Sequence, residues 1–487
     1  MKVLRLVSLH LIMGVIVPIS LSAGEFGDIY GAHPAAAAMG GAVVSTVNDS
    51  SSVYYNVAGL GKLSEGELIR ARIEAKELEK QKALEEANLE SSTTEEAQDP
   101  QKKPGGYKKL WEDVKKNSFT YIPAKRTTTT PHELTFQYNF ARPELNTSAP
   151  SNQDLVRVRD DYGGLGLTIN LNSIYDLKRN IKFGLNVLLP GTGNLLTIND
   201  VNPTVHRYLQ RGVSNQKPTI MGGLGIELWK DRLFAGIGFT GSISGKGAIL
   251  LKDVPVSRDR VIPNQQVILE TKPFANPLFG LNFQYGKFSA GISYRREMAL
   301  SVDSLPARAQ TTLLGIQLDF DVAMYDLFSP RKWSYGMAYR PLEKILVSIQ
   351  LDRELWSAFR QSRTKNSYSE KVYFNDINIM RLGTEYSWRE WLKFRAGIAR
   401  RPRPTPTMYG QVNWMDFDSM GYTAGLSYVL LPGFLKDLKS PIILDFVAGY
   451  QKLHGEHVWK RIPTERNPSY SMGGRALHAG VSITMFF

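Results

Sequence analysis

From residue 132 onward, apolar and polar residues alternate in short segments. In residues 162–172, Leu165, Leu167 and Ile169 alternate with glycine, threonine and asparagine. A period of two places the two sets of side chains on opposite faces of a β-strand. Such segments recur at 133–140, 181–187, 218–229, 232–241, 277–285, 287–295, 312–322, 333–339, 344–351, 377–388, 391–399, 421–430, 441–450 and 475–487. Alternating segments of roughly ten residues separated by turns indicate an all-β fold, a transmembrane antiparallel β-barrel.

The connections between these segments alternate in length. The short ones are 173–180, 230–231, 286, 340–343, 389–390 and 431–440, and the long ones are 141–161, 190–217, 242–276, 296–332, 352–376, 400–420 and 451–474. Bacterial barrels have short periplasmic turns and long outer loops, so this pattern predicts fourteen strands with both barrel ends in the periplasm. The fifteenth segment, 312–322, lies inside a long connection and is assigned to an outer-loop hairpin or a strand extension. The alternative is that it spans, with a partner near 261–269.

The final segment carries a second signal. Its outward face is predicted to hold Leu477, Ala479, Val481, Ile483, Met485 and Phe487. A terminal aromatic residue on an amphipathic last strand resembles the signal that the outer-membrane assembly machinery reads, and Phe487 is the candidate.

The N-terminus predicts export. Lys2 and Arg5 precede an apolar run over 6–19 and then small residues, which is typical of a signal peptide over residues 1–23. No later stretch has the eighteen or so continuous apolar residues of a membrane-spanning helix. The absence of cysteine excludes disulfides and a cysteine-linked lipid anchor. These features indicate a bacterial periplasmic or outer-membrane protein, and together with the barrel pattern they predict the outer membrane.

The net charge of +13 requires a test of nucleic-acid binding. The basic residues are dispersed, with only short clusters such as 400–403, and an exported chain rarely meets nucleic acid. We expect no nucleic-acid partner and infer that basic loops face anionic membrane lipid.

Composition divides the mature chain into three parts. Residues 24–63 are rich in Gly, Ala and Ser, residues 64–118 are charged and rich in helix formers, and residues 119–487 carry the alternation. The charged part has only a thin apolar stripe, made of Leu68, Ile69, Ile73, Leu78, Leu84 and Leu89. It predicts either a solvated helix with a linker or a helix that binds a periplasmic partner. Uptake after deletion of 64–116 separates the two, because a passive spacer leaves uptake unchanged.

Several motifs are discounted as catalytic, cofactor or metal sites. The G-x-G-x-x-G run at 236–241 has no helix after it, so we interpret its glycines as serving barrel curvature or loop entry. The H-G-E-H run at 454–457 is placed in an outer loop and lacks the spacing of a helical zinc pair, and no G-x-S-x-G elbow occurs. We therefore expect no enzyme activity, cofactor or metal.

Charged residues at inward positions of the predicted barrel have two interpretations. They are ordinary lining whose opposite charges pair across the lumen, or they form a polar site for a substrate carboxylate. The residues are Glu227, Asp319, Asp321, Asp352, Arg381, Glu385, Lys393, Arg395 and Asp445.

Three stretches resemble the FadL/TodX family of outer-membrane transporters of long-chain fatty acids and other hydrophobic compounds. They are GAHPAAAAMGGAVVSTVNDSSSVYYNVAGL at the start and, later, WSYGMAYRPLEKILVSIQLDRELWSAF and IMRLGTEYSWREWLKFRAGIARRPRPTP. The resemblance implies a fourteen-stranded barrel with an N-terminal hatch, a plug inside the lumen, over residues 24–63. It implies that the hatch motif and gating residues are Met39, Gly40, Gly41, Asp49, Asn56, Val57, Ala58, Gly59 and Leu60. Val57 stands where the family has proline, which predicts a less rigid hatch turn.

The function that the resemblance implies is passive transport without a bound cofactor. Hydrophobic small molecules, long-chain fatty acids or detergent-like lipids, are captured at the outer loops, held in an apolar lumen site and released by a hatch movement. The capture candidates are Phe274, Tyr325, Leu327, Phe328 and Phe359. The chain is expected to be a monomer. The alternatives are a surface adhesin or structural protein with a plugged barrel, and a barrel that shuttles another exported protein.

Overall fold

A computed structural model describes most of the mature chain. The described residues are 26–91, 131–149, 160–175, 177, 179–191, 206–211, 219–254, 264–299, 302–311, 317–324, 328–359, 372–432 and 440–487. The predicted signal peptide and residues 92–118 of the charged insert lie outside them.

Fourteen antiparallel strands close into a barrel, as the alternation predicts. They are β1 (Glu133–Thr147), β2 (Asp160–Asn170), β3 (Ile181–Pro190), β4 (Thr219–Trp229), β5 (Leu233–Val254), β6 (Asn264–Tyr285), β7 (Phe288–Arg295), β8 (Arg331–Leu342), β9 (Ile345–Leu355), β10 (Ile377–Arg389), β11 (Leu392–Arg401), β12 (Ser419–Leu430), β13 (Ile442–Val458) and β14 (Tyr470–Phe486). Each strand pairs with the next in the chain, and β14 pairs with β1 from Phe486–Glu133 to Met472–Thr147. This closure leaves no unpaired edge in the wall.

The described part of the segment over 312–322, from Gln317 onward, does not cross the wall. Residues Gln317–Met324 form a hairpin with Val302–Thr311, and that hairpin joins the end of β5 in parallel over 249–254. The placement in an outer-loop hairpin is therefore confirmed. Of the possible partner strand at 261–269, the described residues 264–269 are the start of β6. Four further short strands lie on the same long-loop side and form two pairs: Arg207–Tyr208 with Trp414–Met415, and Met298–Ala299 with Phe328–Ser329.

Three predicted loops are too long for the same reason. The predicted loops over 141–161, 242–276 and 451–474 begin or end as strand, because β1, β5, β6, β13 and β14 extend past the alternating cores. The H-G-E-H run thus lies on β13 rather than in a loop. His457 there contacts Ser471 at 2.8 Å between Nδ1 and Oγ.

The two faces of the wall differ in polarity. In β2, Leu165 is exposed on the outside while Thr168 and Asn170 are buried inside. In β14, Leu477 and Ile483 are exposed, and Ser482 and Thr484 are buried. Phe487, the residue after β14, is also exposed. An apolar outer surface over a polar lumen is the arrangement of a barrel in lipid.

The N-terminal segment Phe26–Leu63, which we call the hatch, lies inside this wall. It contains α1 (Phe26–Tyr30), α2 (Pro34–Ala38), α3 (Ser52–Tyr55) and a 3-10 turn (Val57–Gly61). Almost all its residues are buried, although its helices are too short to form a core of their own. Its apolar side chains instead pack against wall residues such as Tyr162, Met221 and Leu278.

A long helix, α4 (Glu65–Ser91), follows the hatch directly, as the composition predicts. Its first turns pack on the end of the barrel that carries the short connections, and Leu78 and Leu84 farther along it are exposed. Two other helical turns are α5 (Asn172–Tyr175) and a 3-10 turn (Trp356–Ala358). Among the helices within the described ranges, none is both long and apolar enough to span a membrane.

Candidate functional site

The hatch motif is a capped turn that is fixed to the wall. Asn56 precedes the 3-10 turn, and its Oδ1 accepts a hydrogen bond from Ala58 N at 3.2 Å. Its Nδ2 donates to Val44 O at 2.8 Å and to Leu281 O on β6 at 3.0 Å. Asn56 therefore joins the turn, another segment of the hatch and the barrel at one point.

Val57 fills a hollow in the wall made by glycines. A Cβ atom on Gly223 would lie 2.6 Å from Val57 Cγ2, and one on Gly236 would lie 2.5 Å from the Val57 carbonyl carbon. Val57 itself is 1% exposed. It opens the 3-10 turn, where a helical N–H has no partner within the helix, so proline and valine both suit the position.

The wall glycines have a role that the sequence did not predict. Gly236, interpreted as serving barrel curvature or loop entry, instead gives the hatch backbone room to approach β5. Gly225 on β4 likewise gives the hatch room beside Leu60, because a Cβ atom on this glycine would lie 2.6 Å from Gly61 N. Residues 242–251 after the run continue as strand, which agrees with the exclusion of a dinucleotide site.

The Met39-Gly40-Gly41 turn is bound to the opposite wall. Gly40 and Gly41 have φ of 63° and 77°, a backbone conformation that favours glycine. Gly40 N donates to Thr423 Oγ1 at 3.1 Å, and Gly40 O accepts from Arg381 at 2.9 Å. Asp49 binds within the hatch, where its Oδ1 accepts from Ser51 N at 2.8 Å.

Inward amide side chains bind further hatch backbone groups. Gln350 accepts from Val43 N at 2.9 Å and from Val44 N at 3.0 Å. Gln137 and Gln451 donate to the carbonyls of Ala32 and Ile29 at 2.8 and 2.7 Å. The polar lumen is therefore used to satisfy a non-regular backbone that would otherwise be buried without partners.

A buried group of charges holds α1. Asp28 pairs with Arg295 on β7 and, at 3.0 Å, with Lys332 on β8, and it accepts from the Tyr54 hydroxyl at 2.8 Å. Burial raises the pKa of Asp28, but the charges of Arg295 and Lys332 outweigh it and hold that pKa well below its usual range. Asp28 is thus ionised and fully paired.

The neighbouring charges pair within the wall. Arg381 binds Asp352 at 2.7 Å, and Arg401 binds Glu354 at 2.8 Å. The void between α1 and this group holds about 40 Å³, which is enough for a few water molecules. A space of this size is too small for a small organic ligand.

The remaining inward charges lie nearer the short-turn end. Arg395 binds Glu385 at 2.8 Å and Asp445 at 3.0 Å, and Lys393 binds Glu65 of α4 at 2.6 Å. Glu227 accepts from Asp231 N at 2.6 Å. Opposite charges therefore pair between nearby strands and with α4 rather than across the lumen, and both interpretations of these residues stay predictions. The side chains of Asp319 and Asp321 lie outside the described ones.

Lys62, at the end of the hatch, gives a pH-dependent contact. Its Nζ donates to Ser45 O at 2.7 Å, and burial lowers its pKa to about 7. Between that value and the ordinary pKa of about 10.4, the docked lysine is neutral while a released one is protonated. Docking is therefore penalised at low pH and strengthens as pH rises through this window.

We expect protection of the hatch from limited proteolysis to increase between pH 7 and pH 9 in the native protein. The limiting slope is about 1.4 kcal/mol per pH unit. Lys62→Met removes the titrating group, and the increase should then disappear. An equal increase in the variant would contradict the assignment to Lys62.

A second buried cluster lies among the long loops. Phe359 packs on Phe328 at 5.2 Å, on Phe374 at 4.9 Å and on Trp414 at 6.0 Å between ring centroids. Two of the five capture candidates, Phe328 and Phe359, are thus brought together. Tyr325 and Leu327 lie outside the described residues, as does the side chain of Phe274, whose backbone belongs to β6. A capture role for any of them stays a prediction.

Phe359→Ala tests this cluster. Removing a buried phenylalanine costs about 3–5 kcal/mol of stability, so we expect a lower thermal unfolding midpoint and weaker uptake of a hydrophobic ligand. Ile462→Ala is the matched control, because Ile462 is an apolar residue at the same end that is 79% exposed. Equal effects of the two substitutions would remove the cluster from the capture step.

Phe487 is paired at the barrel seam. Its backbone N–H and C=O both bond to His132, at 3.1 and 2.9 Å, and its ring is exposed on the outer surface. This position is compatible with the predicted assembly signal, which stays a prediction. No cluster of potential metal ligands occurs among the described residues.

A closed barrel with an apolar outer face and a filled polar lumen defines an outer-membrane β-barrel protein. Residues 284–438 match the family described as Outer membrane protein transport protein (OMPP1/FadL/TodX). Alkane uptake protein A of Marinobacter nauticus is 22% identical over 283 residues, which cover 51% of this chain and 62% of that relative.

Two solved structures are similar. A Pseudomonas aeruginosa FadL homologue has 12% identity, a TM-score of 0.46 and coverage of 73% of this chain and 89% of its own. The P. putida toluene transporter TodX has 13% identity, a TM-score of 0.40 and coverage of 74% and 91%.

The match over residues 284–438 agrees with the resemblance of the two later quoted stretches to the FadL/TodX family. Its place is the outer membrane. The family is described as one of transport proteins, which agrees with the expectation that the chain is not an enzyme.

Proposed function

We propose that this protein carries hydrophobic small molecules passively across the outer membrane, with the hatch as its gate. The observation that supports this most is the way the hatch is held. The wall binds the hatch through glycine hollows, amide side chains and charged side chains. No residue of 26–63 is paired as a strand with the described wall strands. Such a plug closes the lumen and remains separable from the wall.

The substrate class follows from the relatives and from the fold. The family is named for outer-membrane transport, and the relative from Marinobacter is named for alkane uptake. A hydrophobic compound gains little from an open aqueous channel, because its transfer from an apolar surface into water is unfavourable. Alkanes and long-chain fatty acids are therefore the two candidate classes.

The proposed path has three stages. The aromatic cluster around Phe359 takes up the compound at the outer loops, the hatch moves away from the wall, and the compound leaves toward the periplasm or sideways through the wall. We place the short-turn end and α4 in the periplasm, following the ordinary orientation of bacterial barrels. On this assignment the charged insert also lies there, where it receives cargo or docks a partner.

Uptake into proteoliposomes tests the function. Purified protein is reconstituted, and entry of a radiolabelled long-chain alkane, a fatty acid of equal length and a hydrophilic sugar is followed. We expect saturable entry of at least one hydrophobic compound and none of the sugar. No hydrophobic entry above that of protein-free vesicles, with a correctly folded barrel, would favour a plugged structural or adhesive protein.

A further inference from the structure

Beneath the hatch, at the short-turn end, lies a chamber of about 720 Å³. This volume is within the range of sites that hold small organic ligands. Its upper surface is the underside of the hatch, including Met39, Val43 and Val47, and Leu68 and Arg72 of α4 lie on its other side. The chamber thus lies between two elements that precede the barrel in the chain.

The base of α4 is fixed across this end of the barrel. Ser64 and Glu67 form a reciprocal capping box, with Ser64 N donating to Glu67 Oε2 at 2.6 Å. Glu67 also pairs with Lys182 on β3, and Lys182 donates to the carbonyl of Lys62 at 2.7 Å. Glu65, two residues before, pairs with Lys393 on β11. One turn of helix therefore joins two strands that are far apart around the wall.

Apolar packing strengthens the same attachment. Ile69 is 3% exposed and lies in a cluster with residues at the ends of the last three strands. They are Val429, Leu431 just after β12, Ile443 and Phe486. Arg70 donates to Ser440 Oγ at 2.5 Å. Buried contacts of this kind are not those of a passive linker, which would be solvated along its whole length.

The lining of the chamber selects against anions. Apolar wall residues such as Phe234, Phe288 and Leu346 contribute to it, and its charged lining comprises eight Asp or Glu and six Lys or Arg. Lys393 and Arg395 pair with Glu65 and Glu385 of the same lining, so an excess of two carboxylates remains. This net negative charge repels a ligand carboxylate and does not repel an uncharged apolar compound.

We propose that this chamber is a second binding site, for an uncharged apolar compound that has passed the hatch, and that the base of α4 is the gate closing it. The inference rests on the proposed transport function and adds an exit step to it. Release to the periplasm then requires the turn at Glu65–Glu67 to leave Lys182 and Lys393. Transport thus uses two gates in series, the hatch and α4.

Occupancy of the chamber is tested with a thiol-reactive fluorophore, since the native chain has no cysteine. A small dye is attached to Leu68→Cys in proteoliposomes, and a brominated long-chain alkane or a brominated fatty acid of equal length is added as quencher. We expect saturable quenching by the alkane and much weaker quenching by the fatty acid. A dye on Leu78→Cys, exposed on the same helix, is the control and should respond to neither.

The gate is tested with the pair Glu65→Cys and Lys393→Cys joined by a cleavable thiol crosslinker. Crosslinked protein should lose alkane entry into the vesicle lumen yet keep quenching at Leu68→Cys, and reduction of the linker should restore entry. Unchanged entry after crosslinking, or no alkane quenching in protein that transports, would overturn the inference and leave a sideways exit. If neither the reduced variant nor the native protein transports any hydrophobic compound, the result contradicts the proposed transport function itself.

Discussion

Gly236→Ala is expected to open the barrel. The new methyl carbon would lie 2.5 Å from the carbonyl carbon of Val57 and 2.6 Å from the nitrogen of Ala58. These are backbone atoms of a turn whose neighbour Asn56 is bonded to the wall, so they cannot rotate away as a flexible side chain would. Overpacking of this kind costs about 1–3 kcal/mol. The hatch, held by non-covalent contacts, is the part expected to move.

The measurement is single-channel conductance in planar bilayers, with sensitivity of expressing cells to a large hydrophilic antibiotic as a second readout. We expect frequent openings and raised sensitivity in Gly236→Ala. Gly163→Ala is the matched control, because a Cβ on this β2 glycine has no atom within 4 Å. If Gly236→Ala conducts no more than Gly163→Ala, the turn at Val57 and Ala58 can shift to accommodate the methyl group, and the prediction is wrong.

The sequence predicted the wall more completely than the site, for a physical reason. Alternation with a period of two is imposed residue by residue by lipid on one side and polar lumen on the other, so all fourteen strands could be found from it. Strand ends were missed at β1, β5, β6, β13 and β14 because, beyond the lipid, no difference in polarity between the two faces marks where strand pairing stops.

The contacts between hatch and wall carry no such local pattern. Asp28 and Arg295 are 267 positions apart, and the pairing of Gly236 with Val57 depends on which strands face the plug. A partial signal existed in the glycines at inward positions of β4 and β5, which weaken a strand unless another backbone comes close. The docking of α4 was missed because its stripe is thin, and only the first turns of the helix use it.

Asp28→Asn is expected to release α1 from the wall. The substitution keeps the shape of the side chain and removes the charge that faces Arg295 and Lys332, whose side chains are 8% and 12% exposed. Breaking a buried ion pair from one side costs about 3–5 kcal/mol, because the remaining charges lose their partner in a site shielded from water. We expect protease cleavage within the hatch and leak conductance in the variant at neutral pH.

The pH dependence separates this contact from general damage. Because the pKa of Asp28 is held below its usual range, the contact contributes fully above the ordinary aspartate pKa of about 3.9 and is lost only as pH falls below it. The native protein should therefore stay closed at pH 5 and begin to leak in stronger acid, while Asp28→Asn leaks throughout. Glu144→Gln is the matched control, since the pair of Glu144 with Arg475 at 2.6 Å is exposed and exposed pairs contribute little. Leak of equal size in both variants would mean that loss of a carboxylate anywhere, rather than release of α1, opens the barrel.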